Sequence, residues 1–117
     1  MLGVTALMLA EALSFGQKGG VKLSQMLDVL NDSVVASPVM GYKTEGLKHR
    51  TFDLTFTASQ MAKDLDLALA AAGRLQMCMP LTATVRQFMG AMIGTGRGEE
   101  DFFAILKVME ELAGLKA

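Results

Sequence analysis

The sequence predicts an all-α fold: a compact bundle of five or six helices joined by short connections. Three observations carry that prediction. Apolar residues recur at three- and four-residue spacing through most of the chain. Helix starts are written in side-chain chemistry at Ser37-Pro38, Thr57 to Gln60 and Pro80, and glycines supply the stops. No stretch alternates for long enough to make a strand. Val34-Val35 is too short, and Phe52, Leu54 and Phe56 alternate but run into a helix start.

The elements follow in order. Leu2 to Phe15 reads as a first helix, nearly apolar all round, ended by Gly16, Gly19 and Gly20. Such a helix needs cover on most sides. Leu23, Met26, Leu27 and Leu30 make one face of a second helix, broken by Asn31-Asp32-Ser33. Ser37 caps a third, with Pro38 at its first position, where no N–H is needed. Gly41 and Gly46 predict that this helix is short or irregular.

Thr57-Ala58-Ser59-Gln60 is a capping box, with Phe56 and Met61 placed as its hydrophobic staple. Ala58, Met61, Ala62, Leu65, Ala68, Leu69 and Ala72 then form the buried stripe of helix four, which Gly73 is expected to end. Pro80 opens helix five, with Leu81, Val85, Phe88, Met89 and Met92 inward and Gly94 or Gly96 as its stop. The last helix follows Gly98. Glu99, Glu100 and Asp101 are expected in its first turn, where the dipole favours acid, and Phe102, Ile105, Leu106, Met109 and Leu112 face the core.

Composition bounds the function. A chain of 117 residues with 51% hydrophobic side chains is one small domain, able to bury roughly 65% of its unfolded surface. Eleven basic against twelve acidic residues leave no excess charge for nucleic acid. One cysteine excludes an internal disulfide framework and fits a reducing compartment, so a cytoplasmic location is expected. No basic residue precedes the apolar opening, which argues against a signal peptide. Glu11 interrupts that opening well short of the roughly 20 residues of a membrane span.

Few constellations suggest chemistry. Gly94-Thr95-Gly96-Arg97-Gly98 superficially looks like a phosphate loop, but lacks the preceding strand and has acids behind it; it reads as a helix connection. His49 has no ligand-spaced partner, so no metal site is expected. Cys78 lies between Met77 and Met79 and is expected to be a buried, inert thiol. Met77, Met79, Met89 and Met92 are expected mainly in the core. Ser59, Lys63 and Asp66 share one polar face of helix four, either a solvated face or a place where a lysine meets a ligand phosphate or ribose.

The run from Phe56 to Leu69 resembles the F-x6-K-D-L-x-L-A-L segment of the β-hydroxyacid dehydrogenases. Leu9-Ala10-Glu11-Ala12-Leu13, Met79-Pro80-Leu81-Thr82-Ala83 and Gly98-Glu99-Glu100-Asp101-Phe102 resemble further stretches of that family in the same order. The resemblance covers essentially the whole chain. It implies the all-α C-terminal domain of an NAD- or NADP-dependent 3-hydroxyisobutyrate dehydrogenase-like oxidoreductase, similar to the C-terminal domain of 6-phosphogluconate dehydrogenase. The family's Rossmann domain and its catalytic lysine would then lie upstream, with no catalytic residue in residues 1–117.

By the same resemblance, Lys63 corresponds to a cofactor-contacting lysine, Asp64 to an acid at the active-site cleft, and Phe56 to an aromatic lining the substrate pocket. The whole enzyme would pass a hydride between nicotinamide and a short hydroxy acid, and the domain would help to form a homo-oligomer, expected to be a dimer. The isolated chain is expected to bind no cofactor and to be inactive. A free-standing helical protein-interaction module is the alternative, with the methionine-rich surface and the apolar first helix as its binding face.

Overall fold

The structure is a computed structural model and describes residues 1–115. Six α-helices are α1 (Leu2–Lys18), α2 (Leu23–Asn31), α3 (Pro38–His49), α4 (Ala58–Arg74), α5 (Pro80–Gly94) and α6 (Ile105–Leu112). A 3-10 turn over Phe102–Ala104 leads into α6. Among the described residues there is no strand, only an isolated antiparallel bridge between Thr57 and Asp101. The chain is an all-α bundle, as its periodicity predicts.

Helix α1 is the hub. It packs against α6, α2, α5 and the 3-10 turn, burying Ala6, Leu7, Leu9, Ala10 and Leu13. Met89 and Met92 of α5, Leu27 of α2, Met40 of α3 and Ile105 and Leu106 of α6 complete the core. Each large side chain taken fully out of water contributes roughly 1.5–3 kcal/mol. Two glycines allow the close approach of α1 to its neighbours. A Cβ on Gly16 would sit 2.0 Å from the Met26 sulfur, and one on Gly3 would sit 3.0 Å from Val85 Cγ1.

Helices α4 and α5 form an antiparallel hairpin, and α5 alone of the two packs extensively on the rest. The N-terminus of α4 carries the expected capping box. Gln60 N–H donates to the Thr57 hydroxyl oxygen at 3.0 Å, and Thr57 N–H donates to Gln60 Oε1 at 2.9 Å. The inner stripe of α4 is only partly as expected: Ala58, Met61, Ala62 and Ala72 are buried, whereas Leu65, Ala68 and Leu69 are half-buried. Helix α4 meets the rest of the bundle mainly through α5, so fewer side chains cover them.

Several expectations need correction. Helix α1 continues three residues past Phe15 to Lys18, and its left-handed residue is Gly20. Helix α3 is neither short nor irregular, but runs regularly through Gly41 and Gly46. Burial of Val39, Met40, Lys43, Thr44 and Leu47 outweighs the weak propensity of two glycines. Helix α4 does not stop at Gly73 but runs to Arg74, and the left-handed residue after its end is Gln76, at φ 54°. Glu99, Glu100 and Asp101 do not form the first turn of the last helix: Asp101 caps the 3-10 turn instead, accepting from Phe103 N–H at 3.0 Å.

Cys78 is exposed, not buried, and so is Met77; Met79 is half-buried. All three belong to the α4–α5 connection, and connections run over the surface because their backbone needs partners. Met89 and Met92 lie in the core as expected.

Candidate functional site

The site begins where α3 ends. Arg50 turns left-handed at φ 57° and Phe52 follows at φ 48°, redirecting the chain across the end of the bundle. The Arg50 guanidinium is held by both carboxylate oxygens of the buried Glu110, at 2.6 and 3.1 Å, and Gln17 donates to the same group at 3.0 Å. Arg50 and Lys107 both stand over the Phe52 ring, their cationic groups 5.6 and 4.9 Å from its centroid. These contacts fix the entry to the segment that carries Phe56.

Asp101 fixes its other end. Its carboxylate accepts from Thr55 N–H and the Thr55 hydroxyl at 2.9 Å each, from Phe56 N–H at 3.2 Å and from Lys43 Nζ at 2.9 Å. Burial by itself pushes the Asp101 carboxyl up. The N–H of Thr55, then Lys43 and the N–H groups of Phe103 and Phe56 outweigh burial, and hold it below the ordinary carboxylate value. Lys43 also donates to the Thr55 hydroxyl at 2.7 Å and stands 5.3 Å from the Phe103 ring centroid. Neither Lys43 nor the cap at Asp101 is singled out by the sequence pattern. The available signal was an acid directly before the apolar run Phe102 to Leu106, the place of a capping residue.

The result is a cleft of about 650 Å³ between the start of α1, the middle of α3, the start of α4 and the 3-10 turn. Phe56 and Asp64 both line it, with Gly3, Tyr42, Lys43 and Leu65 among their neighbours. Phe56 meets Phe102 edge to face, with centroids 6.4 Å apart. The walls are largely apolar, and Asp64 brings an exposed carboxylate to the rim. Lys43 separates this cleft from a small side cavity of about 60 Å³ that also touches Asp101.

Lys63 is exposed on the adjacent face of α4 and is not among the cleft's lining residues. Of the polar face predicted with it, Ser59 is half-buried beside Gly98, and Asp66 accepts from Arg86 Nε of α5 at 2.7 Å. Lys63 makes no ion pair among the described residues.

Other candidates for phosphate binding are spent. At the start of α4, Ala58 N–H donates to Glu100 O and Ser59 N–H to Gly98 O, both at 2.9 Å. In the glycine-rich connection, Arg97 N–H donates to Met92 O at 2.7 Å and Gly96 N–H to Ile93 O at 3.1 Å, closing the end of α5. Its guanidinium is paired with Glu111. Among the described residues no three His, Cys, Asp or Glu side chains converge as a metal site, and no helix is long and apolar enough to cross a membrane.

Residues 1–109 match the family model described as "NAD-binding of NADP-dependent 3-hydroxyisobutyrate dehydrogenase". The chain is 32% identical over 114 residues to a probable 3-hydroxyisobutyrate dehydrogenase-like 2 protein, mitochondrial, of Arabidopsis thaliana, covering 97% of this chain and 37% of that one. It is 34% identical over 116 residues to 2-(hydroxymethyl)glutarate dehydrogenase of Eubacterium barkeri, covering 98% and 38%. Its fold superposes on 3-hydroxyisobutyrate dehydrogenase of Salmonella typhimurium with a TM-score of 0.84 at 24% identity, covering 91% of this chain and 37% of that one. The chain therefore spans less than two-fifths of the length of these relatives. With the match running through nearly every residue that builds the cleft, the chain belongs to the 3-hydroxyisobutyrate dehydrogenase NAD-binding family.

Proposed function

We propose that this chain is the C-terminal, all-α domain of an NAD(P)-dependent 3-hydroxyacid dehydrogenase, closing over a substrate and cofactor held mainly by a dinucleotide-binding domain outside residues 1–117. The observation that carries this reading is the cleft that gathers Phe56 and Asp64 at the mouth of the bundle, with Lys63 one residue away on α4. Self-association into a dimer is part of the proposal.

The residues present suit a supporting role. Lys63 offers one compact cation to a ribose or phosphate. No cradle of free backbone N–H groups accompanies it, because those at the α4 start and after α5 are already bonded. The nicotinamide supplies hydride chemistry when bound. Phe56 and Leu65 exclude water from one side of the substrate, and Asp64 accepts a hydrogen bond from a substrate hydroxyl. Neither Lys63 nor Asp64 is assigned the proton transfer, which falls to a lysine outside this chain.

Fluorescence titration with NADPH tests the division of labour. The isolated chain is expected to show no saturable binding up to about 1 mM. In the longer gene product, Lys63→Ala is expected to raise the cofactor KM about tenfold with kcat nearly unchanged. Submillimolar binding by the chain alone, or an unchanged KM, would overturn the respective part of the proposal.

A further inference from the structure

Few polar side chains line the cleft, and most of them are already bonded. Lys43 Nζ donates to the Thr55 hydroxyl at 2.7 Å and to Asp101 at 2.9 Å, and stands 5.5 and 5.3 Å from the Phe102 and Phe103 ring centroids. The Thr55 hydroxyl in turn donates to Asp101 at 2.9 Å. Two polar side chains of the lining remain. Asp64 brings its carboxylate to the rim from α4, and Tyr42 brings its phenol from α3. Neither side chain makes a hydrogen bond or an ion pair among the described residues. Tyr42 lies beside the buried Lys43 but is itself 69% exposed, and it lines both the cleft and the small side cavity.

We propose that Tyr42 is a specificity-determining residue which, together with Asp64, selects a hydroxy acid bearing a second hydroxyl beside its carboxylate over one bearing an alkyl group there. The inference rests on the dehydrogenase reading and narrows its substrate class. Its first step is the commitment of Lys43. A carboxylate is held by a cation or by free N–H groups, and the Lys43 ammonium is bonded to Asp101 and Thr55. The N–H groups of Ala58 and Ser59 at the start of α4 are bonded too. The substrate's carboxylate is therefore held outside this wall, and its hydride-donating carbon faces the nicotinamide. What faces Tyr42 and Asp64 is the substituent on the carbon between those two.

Hydrogen-bond chemistry decides which substituent fits. An ionised carboxylate only accepts, whereas a phenol both donates and accepts. A hydroxyl placed between them donates to Asp64 and accepts from Tyr42, so both are satisfied. A methyl group of nearly the same size satisfies neither, and closure then strips water from two polar groups without replacing it. A site that hydrogen-bonds a hydroxyl rejects the analogue lacking it more strongly than an apolar pocket rejects an added hydroxyl. The apolar part of the lining, Val39, Phe56 and Leu65, packs on the carbon chain of either acid and does not discriminate between them.

Steady-state kinetics of the longer gene product with NAD and NADP tests the assignment. The probes are racemic 2,3-dihydroxypropanoate and 3-hydroxy-2-methylpropanoate, which differ only by hydroxyl for methyl. The wild type is expected to favour the dihydroxy acid at least about a hundredfold in kcat/KM. Tyr42→Phe removes only the phenol oxygen and is expected to narrow that ratio about tenfold; Tyr42→Leu is expected to narrow it by the same factor. A wild type that favours the methyl acid or does not discriminate, or a ratio that Tyr42→Phe leaves unchanged, would overturn the proposal. So would a ratio that only Tyr42→Leu narrows, because the ring and not its hydroxyl would then discriminate. In each of these cases cofactor-dependent turnover leaves the dehydrogenase reading standing. Turnover of neither acid would overturn the proposal as well, and NADPH titration of the same product then tests the dehydrogenase reading by itself.

Discussion

Lys43 and Asp101 meet at 2.9 Å with their side chains almost wholly out of water. The pair joins α3 to the 3-10 turn and, through Thr55 and Phe56, sets the wall of the cleft. Breaking one partner of a buried pair leaves a charge without compensation and costs about 3–5 kcal/mol. Asp101→Ala is therefore expected to lower unfolding stability by about that amount in urea at neutral pH. A loss below about 1 kcal/mol would show that water replaces the pair.

The same carboxylate shapes the acid response. Asp101 is held below its ordinary value of 3.8 in the folded chain. The unfolded state therefore binds its proton more readily. The stabilisation is complete above the unfolded value and is lost as pH falls through the lower folded value. Urea unfolding followed down to about pH 2 is expected to show a steeper acid limb for the wild type than for Asp101→Asn. Equal slopes would remove Asp101 as its source.

Cys78 is expected to react stoichiometrically with a thiol reagent in the native chain, without denaturant, because its side chain is exposed in the α4–α5 connection. Labelling that waits for unfolding would restore the buried thiol that its two methionine neighbours suggest.

Local chemistry was legible in the sequence and distant pairing was not. The capping box at Thr57 and Gln60 spans four residues, and each of its hydrogen bonds joins a side chain to a backbone N–H three residues away. Phe102, Ile105 and Leu106, placed on the core side by their spacing, are buried in the same local way. Phe56 and Asp64 fall eight residues apart across a helix start, and only the resemblance, not the spacing, suggested that they share a cleft. Lys43 and Asp101 are separated by 58 residues, and nothing within either neighbourhood encodes the other. Their meeting depends on how α3 packs. Solvent cover was similarly hidden: a stripe such as Leu65, Ala68 and Leu69 shows which side of α4 is apolar, not how fully a neighbour covers it.

Gln76 occupies the left-handed residue after α4 at φ 54°, the position that Gly20, Gly96 and Gly114 fill after α1, α5 and α6. Met77 N–H donates to Ala72 O at 2.9 Å through this turn. A side chain there is strained, while glycine costs entropy in the unfolded chain. The strain exceeds the entropy, so Gln76→Gly is expected to stabilise by about 0.5 kcal/mol and raise the melting temperature by about 2–3 °C. A lower melting temperature would mean that entropy wins.

Ser14 is a buried polar residue in α1 whose hydroxyl oxygen makes no hydrogen bond. An unpaired buried hydroxyl costs about 1–3 kcal/mol, and alanine is the better helix former by a few tenths of a kcal/mol. Both effects point the same way, so Ser14→Ala is expected to stabilise the chain by about 1 kcal/mol in urea unfolding. The methyl group fits wherever the serine does, so no cavity or clash offsets the gain. A loss of stability would instead show that the serine hydroxyl holds a bridging water that alanine forfeits.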